Sequence, residues 1–464
     1  MSQGRLFGTD GIRDVAGRGN LRPETVRRIG RALGSLVRDG TLHTVKDPLE
    51  ARPVLIGRDT RESGPMIAEA ISTGILGESI DVTDVGILTT PALASLVARG
   101  GGAAAVMISA SHNPAEDNGI KIFDSKGEKL SDELEAEIES RVIDPARPGA
   151  EADTESPRGA FDVRTDLVEE YERSLIEEGF PDLDLRGARV VVDCANGAAY
   201  RIAPRILERL GASVRKIACE PNGRNINLGC GALHPEVVRE EVLRAGAQLG
   251  LSLDGDGDRV ILVDDEGKIR DGDDILLVLA DRLHREGRLD GATVVATVMS
   301  NIGLELALES RGIRLVRTPV GDRHVALAMR EGGYVLGGEQ SGHILLRQRS
   351  GMFGDGLAAA LAVLRVQRTA DLPLSRLATG LERFPQILLN VRVEAKPPFE
   401  SLHGVLRELQ RVEGELGREG RVLLRYSGTE PLARVMVEGP DSERIRRMAE
   451  DLAAAIARET GATS

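Results

Sequence analysis

Aromatic residues are nearly missing from this 464-residue chain: they make up 2% of it, and there is no tryptophan. That scarcity argues against the stacking platforms on which single-stranded nucleic acids and flat ligands are held. A basic excess is missing too. The formal net charge is −13, which argues against a phosphate backbone as partner, because such partners need broad basic faces. A small anionic substrate remains compatible if Arg and Lys are concentrated locally. No uninterrupted apolar run approaches the roughly 20 residues that span a bilayer. The opening MSQGRLFGTDGIRD lacks the apolar stretch of a secretory signal. Cysteine is limited to Cys194, Cys219 and Cys230, an odd three with neither a CxxC pair nor zinc spacing. These absences predict a cytoplasmic protein with free thiols, no nucleic-acid partner and no membrane segment.

What is present suffices for several cores: 41% of the residues are apolar, and 29% are charged and can cover them. The length accommodates about three ordinary domains or four smaller ones. An apolar run, a Gly/polar loop and a helix-period segment recur in that order. GAAAVMI leads into the loop from Ser109, ARVVVDCANGAA into a helix from about Tyr200, and ATVVATVMSNIG into a helix from about Leu304. Val/Ile-rich runs alternating with helices predict parallel sheets in α/β domains. LRPETVRRIGRALGSLVRDG spaces Val26, Ile29, Leu33 and Leu36 as one helix face, and Gly40 ends it. Residues 144–159, with three prolines and little apolar content, read as a linker, and ADLPLSRLATGLERFPQ reads as a second one. Beyond it, VLLRYSGTEPLARVMVEG predicts two strands around a tight loop, followed by a helix with Ile445, Met448, Leu452 and Ile456 on one face. The expected domains are 1–150, 151–255 and 256–372, all α/β, and a smaller α+β domain at 373–464.

Three loops carry chemistry. In DGDGDR, residues 254–259, Asp254, Asp256 and Asp258 alternate with glycine at the mouth of an apolar strand. Glycine lets the loop curl until the carboxylates converge. Convergent carboxylates repel unless a cation neutralises them, and hard oxygen ligands suit Mg²⁺. An EF-hand requires Gly at its sixth place and Glu at its twelfth, where this chain has Arg259 and Asp265, so that reading fails. The plain alternative is an acidic turn, which has no need of three evenly spaced aspartates. GGEQSGH, residues 337–343, offers Glu339, Ser341 and His343; RYSGTEP, residues 425–431, offers Arg425 and two hydroxyls, a set that suits a phosphate dianion. Taken singly, each of these is compatible with an ordinary turn. A Ser/His hydrolase reading is poor: there is no GxSxG elbow, and the adjacent Ser111 and His112 diverge on extended backbone.

FGTDGIR, SASHNP, DGDGDR, GGEQSGH and RYSGTEP occur in the order and spacing of the α-D-phosphohexomutases, and the chain resembles that family over essentially its whole length. The resemblance implies four domains around a central cleft, one motif loop from each, and interconversion of hexose 6- and 1-phosphates. FGTDGIRD and TPVGDRHV look more like the branch acting on glucosamine phosphates, which feeds UDP-N-acetylglucosamine and cell-wall precursors, than the phosphomannomutase/phosphoglucomutase branch. The chain departs from the usual pattern in a longer polar loop at 41–53 and in His324, where an aromatic residue is expected. By the resemblance, Ser111 is the phosphoserine and Ser109 a structural neighbour. His112 holds the loop, Lys121 is the acid/base and His343 its runner-up. Clustered cations are expected to lower the Lys121 pKa toward neutrality. The metal ligands are Ser111, Asp254, Asp256 and Asp258 around one Mg²⁺, and Arg13 and Arg259 offset the remaining negative charge. Gly321, Asp322, Glu339 and Ser341 contact the sugar, while Arg425, Ser427, Gly428 and Thr429 clamp the phosphate that is not transferred. Glucosamine 1,6-bisphosphate is the implied intermediate, and the implied assembly is a monomer or homodimer.

Overall fold

A computed structural model describes residues 6–8, 10–42, 52–143, 159–348, 351–427 and 431–461. Most of the 41–53 loop and of the 144–159 linker, together with Gly428 and Thr429, lie outside the described residues. The chain divides into two compact units: residues 1–297 with 318–379, and residues 298–317 with 380–464.

The first unit is built on sheets whose central strands are mostly apolar and largely buried, as parallel strands flanked by helices must be. The first sheet contains β1 (Ile12–Val15), β2 (Val54–Arg58), β3 (Val82–Ile87), β4 (Ala104–Ile108), β5 (Asp117–Phe123) and β6 (Phe161–Val163), in the order β1-β5-β4-β2-β3-β6. Strands β4, β2, β3 and β6 run parallel; β5 returns antiparallel to β4, and β1 is antiparallel to β5. The helix Pro23–Arg38 buries Val26, Ile29, Leu33 and Leu36, the face that the spacing predicts.

The second sheet repeats the plan. β7 (Arg189–Asp193) is flanked in parallel by β8 (Ser213–Ile217) and β9 (Leu249–Leu253), and β10 (Val260–Asp264) folds back antiparallel on β9. β11 (Ile269–Arg270) adds to β10. The DGDGDR loop therefore lies inside this sheet, and the expected boundary at 255 falls within a hairpin. A third sheet sets β12 (Thr293–Thr297) parallel to β14 (Leu336–Gly338), with β15 (Ile344–Gln348) and β16 (Gly351–Gly354) returning antiparallel.

The segment that reads as a second linker is partly structural. A helix runs to Ala370, a short one spans Leu374–Leu377, and Ser375 donates to the Asp265 carboxylate from both its N–H (3.2 Å) and its Oγ (3.0 Å). Leu374 and Ala378 are buried there, so apolar side chains hold a stretch whose Pro and Gly suggest a connector.

In the second unit, β17 (Gln386–Arg392), β19 (Leu432–Glu438) and β18 (Arg421–Tyr426) form an antiparallel sheet in that order. The helices His403–Leu416 and Ser442–Thr460 share its core, the latter through Ile445, Met448, Leu452 and Ile456. Residues 298–317, with the helix Ile302–Glu309 and most of β13 (Arg314–Thr318), group with this unit. No helix among the described residues is long and apolar enough to cross a membrane.

Candidate active site

The three motif loops of the first unit occupy one structural position. Each joins the last parallel strand of a sheet to its antiparallel return: 109–116 between β4 and β5, 254–259 between β9 and β10, and 339–343 between β14 and β15.

Ser111 is fully buried and has φ +53°, a left-handed conformation that costs a non-glycine residue about 1–2 kcal/mol. Local hydrogen bonds hold it there. Its N–H donates to Ser109 Oγ (2.9 Å), and Ser109 Oγ donates to Asp59 Oδ2 (2.6 Å). Arg61, also buried, is the centre of the loop. It donates to Asp59 Oδ2 (2.9 Å) and to the carbonyls of Ser111 (3.0 Å), Asn113 (3.0 Å), Asp117 (2.9 Å) and Pro114. Asn227 adds donations to the Ser111 (2.9 Å) and Asn113 (3.0 Å) carbonyls from the second sheet's side. Burial pushes the Asp59 carboxyl above its usual range, although the Arg61 charge opposes it.

Ser111 Oγ points at the aspartate loop and donates to Asp254 Oδ2 at 2.6 Å; His112 Nδ1 lies 3.3 Å from Ser111 Oγ. Gly255 makes the approach possible, because a Cβ there would sit 2.4 Å from the Ser111 carbonyl oxygen. Asp254, Asp256 and Asp258 are buried, and each offers a carboxylate oxygen within 4.8 Å of the others. Thr90 Oγ1 donates to Asp256 Oδ2 (2.6 Å), yet Asp256 Oδ1 is buried without a hydrogen-bond partner. Burial, and then the charges of Asp258 and Asp256, push the Asp254 carboxyl well up. Crowded carboxylates with an unsatisfied interior oxygen fit a hard divalent cation.

Lys121 Nζ lies among acids rather than cations: Asp256 at 2.9 Å, Asp258 at 3.2 Å and Asp10 at 3.3 Å. Burial would lower its pKa, but Asp10, Asp256 and Asp258 together outweigh that and raise it well above the ordinary value. This corrects the expectation of a lowered pKa: the motif places Lys121 but does not reveal which sign of charge surrounds it.

Beside this cluster lies a cavity of about 240 Å³. Arg13, Lys129 and Arg259 line it with positive charge, and Asp10, Asp258, Asp322 and Glu339 with negative. His343 and Gly321 complete the wall with Val320. Arg13 is paired with Asp10 and donates to Asn113 Oδ1 (3.3 Å); Arg259 lies 3.7 Å from Asp258. His343 is buried with its two ring nitrogens 3.6 Å from Asp258 and 3.5 Å from Asp322. Burial lowers its pKa, but Asp258 and then Asp322 more than offset that, so the net shift is upward. For His112 burial is again the first cause, and the Arg259 and Arg13 charges add to it, so its pKa falls. Glu339 Oε1 accepts from the Gly321 N–H (3.0 Å), and Lys129 Nζ bridges Asp10 (2.6 Å) and Asp322 (2.7 Å). Ser341 is exposed and does not line this cavity, and His324 is exposed on the helix Asp322–Gly332.

Six residues of this arrangement escape the sequence reading: Asp10, Asp59, Arg61, Thr90, Lys129 and Asn227. Asp10 lies within FGTDGIR, and GRDTRESG after β2 has the same polar strand exit as the serine loop, the one available signal for Asp59 and Arg61. Nothing local marks the other three.

In the second unit, Arg425 on β18 stands opposite Arg434 of β19. Burial lowers its pKa, and the neighbouring Arg434 charge lowers it further. Ser427 is buried, its N–H donating to the Leu432 carbonyl (2.8 Å), while Lys396 Nζ donates to the Ser427 carbonyl. Three cations thus gather at this hairpin.

The chain matches four family descriptions in succession. They are Phosphoglucomutase/phosphomannomutase alpha/beta/alpha domain I over residues 4–146, domain II over 169–267, domain III over 271–384, and the C-terminal domain over 388–455. It is 48% identical to a phosphoglucosamine mutase of Nitratidesulfovibrio vulgaris (Miyazaki F), across 97% of this chain and 98% of that one. It is 46% identical to another of Solibacter usitatus, across 98% and 99%. Among solved structures, a phosphoglucomutase/phosphomannomutase family protein from Burkholderia thailandensis shares the fold, with a TM-score of 0.78 at 24% identity, covering 99% of this chain and 98% of that one.

Proposed function

The chain belongs to the α-D-phosphohexomutase family, in the branch of the phosphoglucosamine mutases, and we propose on that premise that it interconverts glucosamine 6-phosphate and glucosamine 1-phosphate. The observation that carries the chemistry is Ser111 Oγ held 2.6 Å from Asp254 at the edge of a buried three-aspartate cluster.

In the proposed cycle Ser111 carries a phosphoryl group and gives it to the free hydroxyl of the sugar phosphate. The glucosamine 1,6-bisphosphate so formed turns over, and its other phosphate returns to Ser111. Such transfers leave the protein mainly positioning and charge neutralisation. The left-handed turn at Ser111, fixed by Arg61 and Ser109, aims Oγ at the aspartates before substrate arrives. Asp254, Asp256 and Asp258 would hold one Mg²⁺ together with an oxygen of the Ser111 phosphate, and the bound ion would supply neutralisation of the transferring group. Lys121, kept as an ammonium by its carboxylate neighbours, acts as the acid/base relay: it gives a proton to Ser111 Oγ as that oxygen leaves phosphorus and takes the proton that the attacking sugar hydroxyl releases, and the reverse relay serves the return. His343 serves the opposite substrate orientation. Arg13 and Arg259 offset the remaining phosphate charge, with His112 steadying the loop. In the second unit, Arg425, Ser427, Gly428 and Thr429 clamp the phosphate that is not transferred.

The preference for an amino sugar has a physical basis in the cavity. Asp322 already receives one ammonium, that of Lys129, at 2.7 Å, and Glu339 stands on the same wall. A protonated 2-amino group finds carboxylates there, whereas a 2-hydroxyl forfeits the charge-assisted bond. Glu339 and Ser341 would take sugar hydroxyls.

The test is a coupled assay for glucosamine 1-phosphate run beside a free-phosphate assay on the same mixture. Product formation with little free phosphate is expected. Phosphate release matching sugar consumption would mean a phosphatase, binding without turnover a sensor, and a higher kcat/KM for mannose 6-phosphate the neighbouring branch.

A further inference from the structure

The turn Gly354-Asp355-Gly356, where β16 ends and the helix Gly356–Ala370 begins, touches two of the motif loops at once. On one side the Asp355 N–H donates to the Ile344 carbonyl (3.3 Å), one residue past His343, and a Cβ on Gly354 would sit 2.0 Å from His343 Nε2. On the other side the Gly356 N–H donates to the Gly257 carbonyl (3.1 Å) in the aspartate loop, and a Cβ on Gly356 would sit 2.5 Å from the Arg259 carbonyl oxygen. Glycine before and after Asp355 is what lets the backbone lie this close to both loops. The loops also meet directly, Val260 N–H donating to the Gly342 carbonyl (3.1 Å). Asp256 and Asp258 flank Gly257, so the turn reaches two of the three carboxylates through one bond and packs against the His343 ring.

The Asp355 side chain fixes this turn with both of its oxygens. Oδ1 accepts from the Ala358 N–H (2.9 Å) and caps the helix; Oδ2 accepts from the Tyr171 hydroxyl (2.8 Å). Capping alone needs only the first bond. The second joins the turn to the helix Leu167–Ser174, which precedes the second sheet. Tyr171 and Asp355 are both buried, so the second oxygen has no water to fall back on and depends on that hydroxyl. Neither side chain lines the cavity, and neither touches Ser111 or the three aspartates.

We propose that Tyr171 and Asp355 are a positioning pair: by fixing the 354–356 turn they keep the aspartate loop and the 339–343 loop in one register, so that the carboxylates converge and His343 stays beside Asp258. The inference rests on the function proposed above and adds two residues to it. Loss of the Tyr171 hydroxyl leaves Asp355 Oδ2 without its donor, and the side chain turns to find another. The turn then shifts, and Gly257 and the His343 ring, in contact with it, shift too. A misplacement near 1 Å at a reacting centre can cost about 10²-fold in rate, and the supports of metal ligands are worth about 10- to 100-fold in metal affinity.

The test is Mg²⁺ titration by calorimetry beside mutase kinetics on the full-length protein. Tyr171→Phe keeps the ring and removes the hydroxyl; it should weaken Mg²⁺ binding about tenfold and lower kcat about tenfold, with KM for glucosamine 6-phosphate unchanged. Asp355→Asn can still accept from Ala358 and can donate its amide to the Tyr171 oxygen, so it should stay near the parent in both readings. Val363→Ala, buried in the same helix, is the control: it should lower Tm and leave Mg²⁺ affinity and kcat alone. Parent-like Mg²⁺ affinity and kcat in Tyr171→Phe would overturn the pair, as would an equal loss of Mg²⁺ affinity in Val363→Ala, which would make the effect one of stability alone. Titration needs no turnover, so the two failures separate. A parent that binds no Mg²⁺ fails the functional reading and this inference with it, whereas a parent and Tyr171→Phe that bind equally fail the inference alone.

Discussion

Around Ser111 cations and carboxylates interleave, whereas around Arg425 cations stand together. In the first region Lys121 touches three acids, Arg61 is fully buried against Asp59, and His343 lies between two aspartates. In the second, Arg425 faces Arg434 across the ladder and has no carboxylate partner among the described residues. The difference matches what the proposed cycle asks of each region. A group that changes charge distribution during transfer needs both signs already in place, so that no reorganisation is left for the moment of reaction. In the proposed cycle a phosphate that is only held calls for positive charge, and Arg425, Arg434 and Lys396 bring it to one hairpin.

The sharpest way to break this contrast is Ser111→Ala, which should lower turnover by about 10⁴-fold or more while thermal melting stays near that of the parent. Ser109→Ala should keep the phosphopeptide signal and lose about 1–3 kcal/mol of stability, because Asp59 loses a buried donor. A phosphopeptide mapping to Ser109 in active protein would reverse the two roles. Asp256→Asn should reduce kcat by about 10²–10³-fold and weaken Mg²⁺ binding in calorimetry. Full activity after exhaustive chelation would remove the metal from the mechanism. Arg61→Ala tests the interleaving directly: it strands a buried carboxylate and should cost about 3–5 kcal/mol in denaturant titration. Arg425→Ala should raise KM about 10–100-fold, the worth of lost charged hydrogen bonds, and leave Ser111 phosphorylated. An unchanged KM would make that hairpin a structural turn. The smallest effect expected is in Asp322→Asn, which should narrow the preference for glucosamine 6-phosphate over glucose 6-phosphate by about tenfold, near 1.4 kcal/mol.

The repeat is legible in the sequence, but its register is not. As apolar runs entering polar loops, GAAAVMI, ARVVVDCANGAA and ATVVATVMSNIG look equivalent. In the structure GAAAVMI is β4, and its loop leads into the return strand β5, not into a helix. Its counterparts are β9 and β14, while β7 and β12 correspond to β2, each being the parallel neighbour of the strand that turns back. Periodicity cannot separate a buried strand that leads to a helix from one that leads to a hairpin, since both are continuous apolar runs. The aspartate loop is legible because glycine alternation and three like charges are a local signature. Thr90 and Asn227 are not, because their partners lie 116 to 166 residues away. The second linker misleads for a similar reason: Ser375 is fixed by Asp265, 110 residues earlier.

Strand β1 bears on how the molecule is made. It carries Arg13, with Asp10 just ahead of it, and pairs Ile12 with Ile120 and Arg13 with Gly119. Its partner β5 therefore emerges only after the ribosome has added more than a hundred further residues, a wait of roughly 5–20 s at ordinary elongation rates. During that interval β1 is an unpaired sheet edge, and it joins the sheet only when β5 emerges. The cavity wall that carries Asp10 and Arg13 is thus assembled late, and a change that delays the docking of β1 would leave the cavity without two of its charges.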